Sequence, residues 1–291
     1  MRFVYFPGCV IPQKENSYEL SARKICEKLE IELVDMEGAN CCGLNLDPLD
    51  HFSSVLLAAR DLCLAEEMGS DILVLCNGCF GHLSRVKNEI LRDEKLRKRV
   101  NEALRSINKI FHGTVNVKHI VQTLIYDVGI EKIGETIVRP LNKLKVAPYY
   151  GCHIVKPSDE LSFDNPETTH LLDSLIDVTG ADRINYLGKN VCCGAPILGI
   201  NEKVSLMIAR DKLRNIQKAG SNTIVTICPF CHLQFDLNQL TIEDEYSEEY
   251  GIPVLHYPQL LGLAQGLNPD DLGLYENRIP VDEILEVLEI S

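Results

Sequence analysis

No stretch of this 291-residue chain approaches the roughly 20 consecutive apolar residues that a membrane span requires, so no spanning helix is expected. The opening run Met1-Arg2-Phe3-Val4-Tyr5-Phe6-Pro7-Gly8-Cys9 lacks the apolar core and small-residue cleavage site of a secretory signal. Positive charge is scarce: 29 Lys and Arg stand against 42 Asp and Glu, giving a net charge of -13. That balance opposes nucleic-acid binding, whose affinity comes from neutralising phosphates with Lys and Arg. Neither G-x-G-x-x-G nor G-x-x-x-x-G-K-[ST] occurs, and there is no ferredoxin-type cysteine run. Nucleotide or flavin binding through a recognisable motif is therefore excluded.

Cysteine, by contrast, is plentiful, with 12 residues. At 45% apolar and 24% charged residues the chain has the composition of an ordinary globular protein, long enough for two domains, so it needs no disulfide staples to hold a core. Without an export signal a cytoplasmic, thiol-keeping compartment is expected. There, a dense cysteine pattern points to metal binding or catalysis.

Ten of the cysteines fall into two sets of the same form. The first is Cys9, Cys41-Cys42 and Cys76-x-x-Cys79; the second is Cys152, Cys192-Cys193 and Cys228-x-x-Cys231. The intervening segments hold 31 and 33 residues in the first set and 39 and 34 in the second. Each double cysteine is followed by glycine, Gly43 or Gly194. This repeat predicts an internal duplication, with a boundary in 131–143 that divides the chain into domains 1–137 and 138–291.

The surrounding sequence repeats as well. Short apolar runs, Phe3 to Phe6 and Val146 to Tyr150, predict strands ending at Cys9 and Cys152. Ala22, Ile25, Cys26 and Leu29 predict a helical face, followed by a strand at Glu32-Leu33-Val34. The second half repeats this with a helix from Leu171 to Ile176 and a strand from Ile184 to Leu187. Asp47 as N-cap and Pro48 at the first position predict a helix closing at Gly69, whose counterpart spans 201–220. Ile72 to Leu75 and Ile224 to Ile227 predict strands leading to each C-x-x-C, and Val117 to Gln122 is echoed by Val254 to Gln259. Apolar strands alternating with helices predict an α/β protein of two similar Rossmann-like halves with parallel sheets, the cysteines lying at the carboxyl ends of the strands.

Two places break the symmetry. The segment 156–165 reads as an inserted loop in the second half. After each C-x-x-C, the first half has a cationic stretch, Arg85 to Lys109, with nine Lys/Arg against four Asp/Glu, whereas the second has Glu243-Asp244-Glu245 and Glu248-Glu249. Both stretches fit solvated surface or partner docking. The tail 268–291 predicts a short helix around Ile284, Leu285, Val287 and Leu288. Cys26 and Cys63 lie on apolar helical faces and read as core.

Five thiols per set exceed the four that structural zinc or an ordinary cubane cluster uses, and a redox C-x-x-C needs no double cysteine. Neighbouring side chains of an extended backbone point to opposite sides, so Cys41 and Cys42 suit two irons, or one terminal and one bridging position. Gly43 and Gly194 leave room for backbone or ligand to approach. The spacing points to an atypical iron-sulfur centre in each half, with an open iron position.

The pattern resembles that of the CCG-domain family, C-x(31–38)-C-C-x(33–34)-C-x-x-C. Pro7-Gly8-Cys9, Asn40-Cys41-Cys42-Gly43 and Leu75-Cys76-Asn77-Gly78-Cys79 look like the B subunit of methanogen-type heterodisulfide reductase. The likeness spans both halves; the 39-residue spacing is one residue over the family range. It implies a catalytic subunit with two noncubane [4Fe-4S] clusters, one held by Cys9, Cys41, Cys42, Cys76 and Cys79, the other by Cys152, Cys192, Cys193, Cys228 and Cys231. The implied reaction reduces the mixed disulfide of coenzyme M and coenzyme B to two thiols. Electrons would come from a ferredoxin-like C subunit and a flavin-containing A subunit with an attached hydrogenase or formate dehydrogenase. Other members of the family serve thiol-driven fumarate reductase, succinate dehydrogenase, and glycolate or lactate oxidase, and a structural-metal scaffold is the remaining alternative.

The anionic coenzymes call for local basic groups. His153, Lys156, Lys189, His82, Arg85 and His232 are the candidates nearest the ligands, with Gly43 and Gly194 as close-approach positions. His153 and His232 are the expected proton donors to departing thiolates.

Overall fold

The computed structural model describes residues 1–161 and 163–290. Ser162, within the predicted insert, and Ser291, the end of the predicted tail, lie outside them. The first sheet contains β1 (Arg2–Phe6), β2 (Glu32–Asp35), β3 (Ile72–Val74) and β4 (Val117–His119) in the order β2-β1-β3-β4. The second contains β5 (Lys145–Tyr149), β6 (Asp182–Arg183), β7 (Thr223–Thr226) and β8 (Val254–His256) in the order β6-β5-β7-β8. Every pairing is parallel. The two halves thus share one topology, as the duplicated sequence predicts.

The central strands are apolar because helices cover both faces of each sheet. Val4, Ile72, Leu73, Val74, Ile224 and Val225 are all fully buried. In each half the chain order reverses beside the first strand, between β1 and β3 and between β5 and β7. That is the place where open α/β sheets form their clefts, at the carboxyl ends of the strands. Cys9, Cys76 and Cys79 follow β1 and β3, and Cys152, Cys228 and Cys231 follow β5 and β7.

Two elements differ from the sequence expectation. The long helix of the first half is His51–Met68, and its N-cap is Asp50, whose side chain accepts from Ser53 N. Asp47 and Pro48 belong to the preceding turns, with Asp47 Oδ1 at 2.7 Å from His51 Nδ1. A second Asp three residues on offers the same cap, and backbone turns after Gly43 use up the intervening residues. β6 is also earlier and shorter than Ile184–Leu187, because its pairing with Lys145 and Val146 ends at Arg183; Leu187 is 79% exposed. The counterpart helix Glu202–Lys218 falls within the expected 201–220 and is capped by Asn201, and Cys26 and Cys63 are buried in the core.

The halves are tied together by packing. The second-half helix Tyr257–Ala264 lies on the first-half helix Asn16–Lys28, and Leu171–Val178 lies on Ile130–Glu135. Val138 N and Arg139 N both donate to Ala264 O, so the connecting segment is fastened to the second half. No helix among the described residues is long and apolar enough to cross a membrane.

Candidate metal centre

All ten patterned cysteines converge on the boundary between the halves. In the first set Cys41 lies within reach of Cys9 on one side and Cys42 on the other; Cys42 reaches Cys79, and Cys79 reaches Cys76. The second set repeats the order from Cys152 through Cys192, Cys193 and Cys231 to Cys228. Cys152 and Cys192 sulfurs are 3.9 Å apart, and those of Cys193 and Cys231 are 3.6 Å apart. Cys76 and Cys228 then meet across the boundary, so the two quintets form one continuous row of sulfur.

Such crowding decides what the sets can hold. Contacts from Cys42 and Cys9 draw Cys41 down, while the Cys41 contact pushes Cys42 up. Cys192 and Cys193 behave the same way. One thiolate therefore suppresses ionisation of its neighbours, and all five can ionise together only around bound cations. Five convergent soft donors, most of them buried, fit a multi-iron centre and exceed the tetrahedron of structural zinc.

The glycines after each double cysteine serve a specific packing need. Gly43 and Gly194 have φ of +96° and +90°, and a Cβ on either would come within 2.7 Å of a helix carbonyl, Ser54 O or Ser205 O. The close approach is that of the protein's own helix. Ser54 Oγ donates to Gly43 O at 2.8 Å and Ser205 Oγ to Gly194 O at 2.9 Å, fastening each loop to its helix. These serines, at matching places in the two halves, were not singled out from the sequence, although their shared offset from Gly43 and Gly194 marks them.

The basic candidates scatter. His153 is exposed and lines a cavity of about 60 Å³ between the halves, with Leu44, Asn77, Gly78, Cys152 and Cys228. Lys156 is exposed, and Lys189 places Nζ 2.6 Å from both carboxylate oxygens of Asp173. His82 is buried with Nε2 2.9 Å from Ser54 Oγ. Arg85 lines a separate surface cavity of about 330 Å³ with Asp47, His51 and Glu89. His232 is buried at Glu15 Oε2, 2.9 Å from Nδ1, and its Nε2 lies 3.0 Å from Val254 O. The expected locally basic cleft is thus represented at the cavity by His153 alone among the six candidates; the rest of the lining is thiol, apolar and amide.

Three further contacts were beyond sequence reasoning. Asn77, inside the first C-x-x-C, donates from Nδ2 to Tyr150 O at 2.6 Å. His119, ending β4, lies with Nε2 3.1 Å from Ile227 O in the other half, while Val121 N donates to its Nδ1. Burial draws His119 down to about 4, so the ring is neutral and its Nε2–H donates to Ile227 O. His256, its counterpart, turns instead to Glu15 Oε2 at 2.8 Å and stacks on His232.

Two parallel α/β halves presenting paired thiolate quintets at their switch points define a redox protein of the cysteine-rich, iron-sulfur class. A family model described as the CCG cysteine-rich domain matches residues 3–84 and 146–236, one copy in each half. The chain belongs to the CCG family. It is 40% identical to the Methanosarcina acetivorans protein named as the B subunit of ferredoxin/F(420)H(2)-dependent CoB-CoM heterodisulfide reductase, covering 98% of this chain and 97% of that one. It is 31% identical to the 8-methylmenaquinol:fumarate reductase membrane anchor subunit of Wolinella succinogenes, covering 97% and 98%. Among solved structures, a hypothetical protein from Helicobacter pylori shares the fold with a TM-score of 0.77 at 17% identity; the match covers 96% of this chain and 52% of that one.

Proposed function

We propose that this chain is the catalytic subunit of a heterodisulfide reductase, reducing the mixed disulfide of coenzyme M and coenzyme B to two thiols. The observation that carries the reading is the continuous row of ten sulfurs, joined at Cys76 and Cys228 beside a cavity shared by both halves. A disulfide has two sulfurs to part, and the duplicated halves offer one thiolate set to each. Each quintet holds a noncubane [4Fe-4S] centre, which when bound supplies one-electron redox chemistry and an iron position for sulfur.

The chain's own residues contribute placement and protons. Reduction of the S–S bond consumes two electrons and two protons. His153, exposed at the cavity beside Cys152, is suited to deliver a proton to a departing thiolate. His232, held at Glu15, is less well placed for that role. Lys156 and Lys189 would engage an anionic coenzyme arm only at the rim, and Lys189 would first have to leave Asp173. Domains 1–137 and 138–291, a cytoplasmic location, and electron delivery through a ferredoxin-like C subunit and a flavin-containing A subunit with its hydrogenase or formate dehydrogenase belong to the same reading.

The test is the anaerobically purified complex supplied with a reduced dye and the mixed disulfide. Release of two thiols per disulfide, together with iron and sulfide in the chain, is the expected result. The likeness to the Wolinella protein favours one second reading, service to a fumarate reductase. Fumarate reduction without thiol release would establish that instead, and zinc in place of iron would leave only a scaffold.

A further inference from the structure

Asp61 and Lys212 occupy the same place in the two halves and carry opposite charge. Each stands 18 residues after the glycine of its Cys-Cys-Gly, on the helix that covers the loop. Asp61 is fully buried and accepts from Asn40, the residue before Cys41: Asn40 N at 3.1 Å and Asn40 Nδ2 at 2.7 Å. Lys212, 4% exposed, donates to Val191 O, the residue before Cys192, at 2.8 Å, and also to Gly188 O. A carboxylate therefore braces the first double-cysteine loop and an ammonium braces the second.

Surrounding charges do not cancel the difference. Arg60 Nη1 lies 3.4 Å from Asp61, but its side chain is 30% exposed and also donates to Gly38 O. Asp211, the counterpart of Arg60, is exposed to solvent. His82 and His153 act in the same sense on Cys41 and Cys192, one in each half. Burial pushes Asp61 up to about 7 and draws Lys212 down to about 8, so at pH 7.5 most but not all of each carries its charge, and buried charges are screened less than exposed ones.

We propose that this opposed pair separates the reduction potentials of the two centres, Lys212 raising that of the second half and Asp61 lowering that of the first, so that reduction begins in the second half. The inference rests on the reading that each quintet holds an iron-sulfur centre. Adding an electron adds negative charge, which a neighbouring ammonium favours and a neighbouring carboxylate opposes. Each centre takes one electron from a one-electron donor, dithionite in the experiment below. Both residues act through the field at the sulfurs and are positioning residues.

The experiment is a dithionite titration of the full chain with its centres in place, followed by electron paramagnetic resonance at pH 7.5, in wild type, Asp61→Asn and Lys212→Gln. Iron content is measured first; a wild type without iron would overturn the cluster reading and this inference with it, whereas an iron-replete wild type lets the inference fail by itself. Asp61→Asn is expected to raise the lower potential alone, and Lys212→Gln to lower the higher one alone. Each shift should be at least about tenfold in the one-electron equilibrium, about 59 mV. The charge-retaining Asp61→Glu and Lys212→Arg should titrate near wild type, which separates charge from packing. Iron-replete variants whose potentials stay put, move together in one direction, or shift equally in the charge-retaining pair would overturn the proposal.

Discussion

Asn77 Nδ2 donates to the carbonyl oxygen of Tyr150 at 2.6 Å, a buried hydrogen bond from the first half to the second. It joins the loop after β3 to the end of β5, directly beside Cys76 and Cys152. Gly151 accommodates it, since a Cβ there would fall 2.6 Å from Asn77 Nδ2. Asn77→Ala leaves the Tyr150 carbonyl without this partner, and the expected loss is roughly 1–3 kcal/mol. Urea unfolding of the variant should show the lower midpoint, with unchanged slope.

Gly43 and Gly194 should resist substitution. At φ of +96° and +90° an added Cβ meets the helix carbonyls of Ser54 and Ser205 at 2.7 Å. Left-handed backbone in a non-glycine residue costs on the order of 1–3 kcal/mol before that clash is counted. Gly43→Ala is expected to release iron from the first set and spare the second, with Gly194→Ala doing the reverse; iron per chain and the paramagnetic spectrum of each variant check this.

The two quintets should also separate under cysteine exchange. Cys41→Ser removes the sulfur that stands between Cys9 and Cys42, and Cys192→Ser removes its counterpart. Each variant should retain iron at the opposite set while losing turnover of the disulfide, since the proposed reaction assigns one centre to each sulfur. Full turnover in either variant would show that one set suffices.

Of the two proposed proton donors, His153 is the one to examine first. His153→Gln places an amide at the cavity in place of the imidazole, so turnover should fall and its pH profile should change shape. An unaltered profile would end the assignment. His232→Gln, by contrast, should act mainly on stability.

That stability effect carries a pH signature. Burial alone would raise Glu15, but pairing with His232 and His256 draws it down to about 2 from an ordinary 4.5. Its contribution is complete above pH 4.5 and is lost as pH falls toward 2. His232 is raised above 6.5 by Glu15 despite its burial, so its contribution is complete below 6.5 and is lost as pH climbs through the raised value. The pair should be at full strength between about 4.5 and 6.5. The readout is the difference in denaturation midpoint between wild type and Glu15→Gln, since the buried neutral His256 and His119 add their own loss below 6.5. That difference should be largest inside the window and shrink on both sides of it.

Much of this architecture can be read along the chain, because its signals are local. Alternating apolar strands and helices, the repeated Cys-Cys-Gly and the echo of Val117–Gln122 in Val254–Gln259 need no knowledge of distant contacts. The echo holds in detail, since His119 N and His256 N each donate to the glutamine three residues on. Local signals also explain the misplacements. Asp47 and Asp50 are equally good caps on paper, and only the turns after Gly43 select Asp50. The strand expected at Ile184–Leu187 fails because the ladder after Val146 would next need an N–H from Pro148 of β5, which has none.

The sequence alone determined the repeated cysteine pattern, the duplication and the parallel α/β class, since residue type, spacing and hydrophobic period are properties of short segments. Packing between segments far apart in the chain decided the rest. It joined Cys76 to Cys228, turned His232 onto Glu15 and left His153 at the cavity. It also set Asp61 and Lys212 at matching positions beneath the two loops. Such placements depend on how one half docks against the other and how each helix lies on its loop, and no linear spacing encodes either.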